Sequence, residues 1–137
     1  MTDRILIADD DAAIRRLLAA ISRRAGFDVD VAANGAEALA LMAQHNYSVV
    51  LLDLMMPSVS GYEVIQELKK WAIRPPIIVV TAMTGELLAP VDLSVVLSIV
   101  RKPFDIETLI LLLRATANTF RELHPVQPSS EARLPLN

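Results

Sequence analysis

The chain of 137 residues contains no cysteine. This excludes a disulfide framework, a thiolate metal site and a cysteine nucleophile. It also lacks an excess of basic residues: 13 Lys and Arg stand against 16 Asp and Glu, for a formal net charge of −3. There is therefore no general attraction toward nucleic acid or acidic lipid, and no direct nucleic acid binding is expected. No apolar run approaches the ~18 residues of a membrane span. The opening MTDRILIADD has neither the basic n-region nor the long apolar h-region of a secretory signal. A phosphate-binding G-x-x-x-x-G-K-[ST] loop is missing as well. These absences place the chain in the cytoplasm, away from the membrane. What is present is 53% hydrophobic residues with 21% charged, enough for one globular domain with a real core.

The apolar residues alternate between two patterns. RILIA (4–8), DVDVA (28–32), SVVLLD (48–53), PIIVVT (76–81) and SVVLSIV (94–100) are short, β-branched runs bounded by turn residues, and read as strands. Between them Ile14, Leu17, Leu18 and Ile21 recur at helical spacing, with Asp11 as N-cap and Gly26 as the stop. Arg15, Arg16, Arg23 and Arg24 form the solvated face of this helix. Leu39, Met42 and Ala43 mark a second helix; Gly61, Val64, Ile65 and Leu68 mark a third. Between Thr84 and Asp92 a helix is stopped by Pro90 after about two turns. The last helix is expected from about Asp105 to Arg121. There Ile106, Leu109, Ile110, Leu113, Ala117 and Phe120 face the sheet, while Leu111 and Leu112 point away and offer a partner or homodimer surface.

Strands alternating with helices predict an α/β doubly wound fold, a parallel sheet with helices on both faces. In such sheets ligands bind beyond the carboxyl ends of the strands. The polar residues at those ends are Asp9, Asp10 and Asp11, then Asp53, Thr81, Arg101 and Lys102. Asp53 is unexpected, because it closes the run Val49 to Leu52, which reads as buried on both faces. A charge there must be paired, solvated or used. Crowded carboxylates repel one another, and a hard divalent cation such as Mg²⁺ relieves this. A free Asp53 oxygen can then attack phosphorus, with Mg²⁺, Lys102 and the Thr81 hydroxyl each neutralising one phosphoryl oxygen.

At this point ILIADDD, VVLLDLMMPSVSGYEV, PIIVVTAM and VRKPFD together resemble the receiver domain of two-component response regulators, in order and at matching separations, over residues 3–121. The resemblance implies a flavodoxin-like five-stranded parallel sheet in order 2-1-3-4-5 with five helices. It implies that Asp53 is the phosphoacceptor, receiving a phosphoryl group from the phosphohistidine of a sensor histidine kinase or phosphotransfer protein. Asp10 would bind Mg²⁺ directly and Asp9 through water, with Asp53 and the Met55 carbonyl completing the set. Thr81 would follow the phosphoryl group, Lys102 would pair with it, and Pro103 would follow a cis peptide bond. Such a protein is no enzyme in the usual sense, since it catalyses only its own phosphorylation and dephosphorylation. It switches contacts with a downstream protein target.

The departures are specific. Three residues before Lys102 the family carries a ring that turns inward on phosphorylation; here stands Ile99. The usual Gly-Ala before the fifth strand is missing. Ile99 mildly favours an alternative, a receiver-like interaction module that works without phosphorylation; retention of all five site residues opposes it. A phosphatase with an Asp nucleophile would want a second Asp at the position of Met55. Residues 122–137, rich in Pro and polar residues without periodicity, read as a disordered tail or linker. The chain is then a stand-alone receiver, or an output module follows it.

Overall fold

A computed structural model describes residues 3–123. The elements run β1 (Arg4–Ala8), α1 (Ala12–Arg24), β2 (Asp28–Ala32), α2 (Gly35–Gln44), β3 (Val49–Leu52), α3 (Gly61–Leu68), β4 (Ile77–Thr81), a 3₁₀ turn (Gly85–Leu88), β5 (Val96–Arg101) and α4 (Ile106–Leu123). All strand pairs are parallel, in the order β2-β1-β3-β4-β5. Reversal of the strand order beside β1 leaves a crevice at the carboxyl ends of β1 and β3, where Asp9 and Asp53 follow the last strand residues.

Alternation along the central strands divides the core in two. Leu6, Ala8, Leu52 and Val79 pack with Ala38, Met42, Val64, Ile65 and Leu68 from α2 and α3. Ile5, Ile7, Leu51, Ile78 and Val80 pack with Leu18, Leu109 and Leu113 from α1 and α4. Each fully buried aliphatic side chain contributes about 1.5–3 kcal/mol, so both layers anchor the sheet whose edge carries the site.

The helix ends follow local chemistry. The Asp11 carboxylate accepts from the N–H groups of Ala13 and Ile14, and Gly26 takes φ 100 just past the end of α1. Ser60 and Glu63 form a reciprocal capping box on α3.

Several expectations are corrected. The implied five helices are four α-helices and a 3₁₀ turn, because Pro90 stops propagation two residues beyond Leu88. Strand β5 starts at Val96 rather than Ser94, since the Asp92 carboxylate accepts from both the N–H (2.8 Å) and hydroxyl (2.6 Å) of Ser94 and holds a turn there. Leu17 is 43% exposed and Ile106 45% exposed rather than core. Leu112, expected to point outward, is half-buried against the α1 and α4 side of the core, leaving Leu111 as the outward leucine. The tail expected over 122–137 lies, from residue 124 on, outside the described residues.

Candidate functional site

Asp9, Asp10 and Asp53 each offer a carboxylate oxygen within 4.8 Å of the others, the single such acidic group among the described residues. Asp9 is 1% exposed and Asp53 7% exposed, whereas Asp10 faces solvent. Their positions follow from sheet register. The Asp53 N–H donates to the Ala8 carbonyl at 2.9 Å, and the Asp9 N–H to the Ala32 carbonyl at 3.1 Å. Both aspartates therefore extend the sheet ladder by one residue, and their side chains leave it at fixed angles.

Lys102 reaches the same place from the end of β5. Its Nζ donates to Asp9 Oδ2 at 2.8 Å and lies 3.7 Å from Asp53 Oδ2. The Lys102 backbone N–H donates to the Thr81 carbonyl at 2.9 Å, which ties the lysine to the end of β4. The Lys102–Pro103 peptide is cis, as the resemblance implies. Thr81 is buried, and its hydroxyl oxygen accepts from the Met83 N–H at 3.2 Å, leaving the O–H free to donate elsewhere.

Burial, then the neighbouring Asp9 charge, raise the Asp53 pKa above the ordinary value of 3.8; Lys102 and the backbone N–H groups of Met55 and Leu54 work against this rise. A raised, buried carboxyl beside two others and a single ammonium is a site short of positive charge. All its free donors are oxygens, which fits a hard divalent cation such as Mg²⁺.

The loop after Asp53 is held at several points. Gly61 donates its N–H to the Leu54 carbonyl at 2.9 Å, and a Cβ at Gly61 would stand 2.2 Å from the Asp53 carbonyl oxygen, so any side chain there would push the Asp53 backbone. Gly35 at the start of α2 donates to the Val59 carbonyl at 2.9 Å. Ser58 takes φ 66, a left-handed conformation that costs a non-glycine residue about 1–3 kcal/mol.

Sequence reasoning brought Asp9, Asp10, Asp53, Thr81 and Lys102 to one sheet edge, and the structure places them all there. Met55 contributes its N–H to the Asp53 carboxylate, and the residue is 56% exposed. Two contacts were missed. Arg15, assigned to the solvated face of α1, is half-buried with its guanidinium on the Asp9 carbonyl at 2.7 Å. The Tyr62 hydroxyl spans from α3 to the 3₁₀ turn. Neither leaves a periodic or local signal.

The fold is that of a receiver-type signalling domain, and comparison agrees. The family model described as "Response regulator receiver domain" matches residues 5–114, and the chain belongs to that family. It is 37% identical over 113 residues to the uncharacterized transcriptional regulatory protein YkoG of Bacillus subtilis, covering 81% of this chain and 49% of that protein. It is 42% identical over 86 residues to the transcriptional regulatory protein SrrA of Staphylococcus aureus, covering 63% of this chain and 35% of that one. The chain thus spans between about a third and a half of the curated relatives it matches. Among solved structures, the receiver domain of Francisella response regulator 1452 superposes with TM-score 0.79 at 30% identity, covering 86% of this chain and 98% of that one. The response regulator TrrA of Thermotoga maritima, in complex with Mg²⁺ and BeF, superposes with TM-score 0.76 at 33% identity, covering 84% and 99%. No helix among the described residues is long and apolar enough to cross a membrane.

Proposed function

We propose that Asp53 accepts a phosphoryl group from the phosphohistidine of a sensor histidine kinase or phosphotransfer protein in the cytoplasm, forming an aspartyl phosphate that changes contacts with a downstream protein. The observation that carries this reading is the convergence of three carboxyl groups within 4.8 Å, with the Lys102 ammonium 3.7 Å from Asp53. An Asp53 oxygen attacks phosphorus as the phosphorus–nitrogen bond of the donor breaks, and the electron pair leaves with the imidazole. Lys102 and the Thr81 hydroxyl donate to the incoming phosphoryl oxygens, while Leu54 and Met55 N–H groups orient the attacking carboxylate. Asp9, Asp10, Asp53 and the Met55 carbonyl would hold Mg²⁺, which supplies the positive charge that the site is short of. On this reading residues 3–121 form the receiver, with α4 running on through Leu123 into the proposed linker or tail (122–137), and the only chemistry catalysed is the domain's own phosphorylation and dephosphorylation. Direct contact with nucleic acid or membrane is no part of it.

Incubation with Mg²⁺ and a small phosphodonor should add one phosphoryl mass, and Asp53→Asn should remove it while leaving the fold intact. Equal labelling of that variant would exclude Asp53. Ile99, half-buried against the α2 and α3 side of the core, favours a second reading, a module that binds its partner without phosphorylation. Partner binding unaffected by Asp53→Asn would select it.

A further inference from the structure

Every polar atom of Asp9 is occupied. Its N–H serves β2 through Ala32, Oδ1 accepts from the Asp11 N–H at 2.9 Å, and Oδ2 accepts from Lys102 at 2.8 Å. Its carbonyl leaves the sheet ladder, since Asp9 follows the last residue of β1, and would be an orphan acceptor at the sheet edge. The Arg15 guanidinium fills that role at 2.7 Å, while the Arg15 backbone N–H donates to the Asp11 carbonyl at 2.9 Å. One residue of α1 therefore grips both ends of the acidic run. Asp10, the exposed member of the acidic trio, lies between the two held carbonyls.

We propose that Arg15 is a positioning residue for divalent-cation binding: by fixing the Asp9–Asp10 peptide plane it aims the Asp10 carboxylate into the pocket with Asp9 and Asp53. The inference rests on the Mg²⁺ reading above. It also opposes simple electrostatics. A guanidinium near a cation site repels the cation, so its removal should tighten Mg²⁺ binding if charge alone matters. If positioning dominates, removal weakens binding, because groups that orient metal ligands change affinity about tenfold or more when lost.

The two signs are opposite, and a titration separates them. Mg²⁺ alone is titrated into the full chain and followed by the amide resonances of Leu54 and Met55, for wild type, Arg15→Met and Arg15→Lys. Arg15→Met keeps the apolar stem and removes the donors; it should weaken Mg²⁺ binding about tenfold and speed hydrogen exchange at the Asp11 amide. Arg15→Lys, which restores one donor, should fall between the two. Unchanged or tighter binding by a folded Arg15→Met overturns the proposal; if that variant does not fold, Arg15→Gln takes its place with the same reading. A wild-type chain that binds no Mg²⁺ would instead remove the metal reading itself, and the inference with it.

Discussion

The Tyr62 hydroxyl donates to the Leu87 carbonyl at 2.5 Å and lies 3.1 Å from the Met83 sulfur. Tyr62 follows Gly61, which packs on the Asp53 backbone, whereas Leu87 belongs to the 3₁₀ turn beyond Thr81. The side chain thus links the two loops that flank the site. Ile99 has no ring to swing, and its β-branch restricts it to few rotamers. The switch is therefore predicted to run through residues 82–92 while Ile99 stays in place. Tyr62→Phe should speed amide exchange over residues 85–91 by about fivefold, the equivalent of one net hydrogen bond of ~1 kcal/mol. Methyl spectra with and without beryllofluoride test the route, and a large shift at Ile99 beside a static loop would contradict it.

Lys102 donates to the buried Asp9 carboxylate at 2.8 Å. Removing one member of such a pair leaves an uncompensated buried charge, so Lys102→Met should destabilise the metal-free protein by about 3 kcal/mol. Added Mg²⁺ should recover more stability in the variant than in wild type, since it brings positive charge to the same oxygens. Urea unfolding with and without Mg²⁺ measures both terms; an unchanged midpoint for the metal-free variant would show that the pair contributes nothing.

Asp53 carries a raised pKa because its ionised form is buried beside Asp9. Between the ordinary carboxyl value and the raised one, the folded state binds more protons than the unfolded state, so this residue's contribution to stability falls as pH rises through that window. At neutral pH the ionised group is a stability cost. Asp53→Asn should accordingly raise Tm by a few degrees at pH 7 without Mg²⁺, and the gain should shrink as the pH falls toward 3.8, the ordinary value. Lys102 keeps its 2.8 Å partner Asp9 in the variant, so no new unpaired charge offsets the gain. Thermal unfolding across this pH range checks the sign.

What was legible in the sequence was local. Runs 4–8 and 28–32 emerge as β1 and β2 with unchanged limits, because β-branched residues stop at turn residues on both sides. Asp11 and Gly26 act as read, since capping depends on a few neighbouring backbone groups. The site residues were legible because a doubly wound sheet sends every strand's carboxyl end to one edge. Failures arose where tertiary packing decides. Leu17 and Leu18 fit one apolar stripe equally well, but the sheet covers Leu18 and leaves Leu17 at the rim. Tyr62 and Leu87 are 25 residues apart, a separation at which no periodicity speaks.

The phosphorylated state should be long-lived. Hydrolysis needs a water aligned with the phosphorus, and the side chains flanking its approach are proposed to be Met55 and Met83. Thioether sulfurs are weak acceptors and cannot hold water in one orientation. Met83 is half-buried beside the Tyr62 hydroxyl, so a polar replacement there also has a partner to steady it. Met83→Gln or Met83→Glu should speed loss of label about tenfold, the equivalent of roughly 1.4 kcal/mol off the barrier. An unchanged rate, or slower loss, would count against this account.

Leu111 is 68% exposed, one turn before Ala115, which lines a groove of about 410 Å³ with Leu97, Phe120 and Leu123. The groove runs beside β5, the edge strand of the sheet, which has no neighbour on its outer side among the described residues. Leu97 and Leu123 are exposed as well, so the apolar surface continues from helix to edge strand. An edge left open in this way pairs readily with a second copy related by a two-fold axis, because each copy offers the same strand and the same leucines. Wild type with Mg²⁺ and beryllofluoride should therefore show concentration-dependent dimers in sedimentation, and Leu111→Glu should weaken association about tenfold by burying a charge without a partner. A monomer in both states, indifferent to the substitution, would leave Leu111 an ordinary exposed leucine, of which folded proteins carry many.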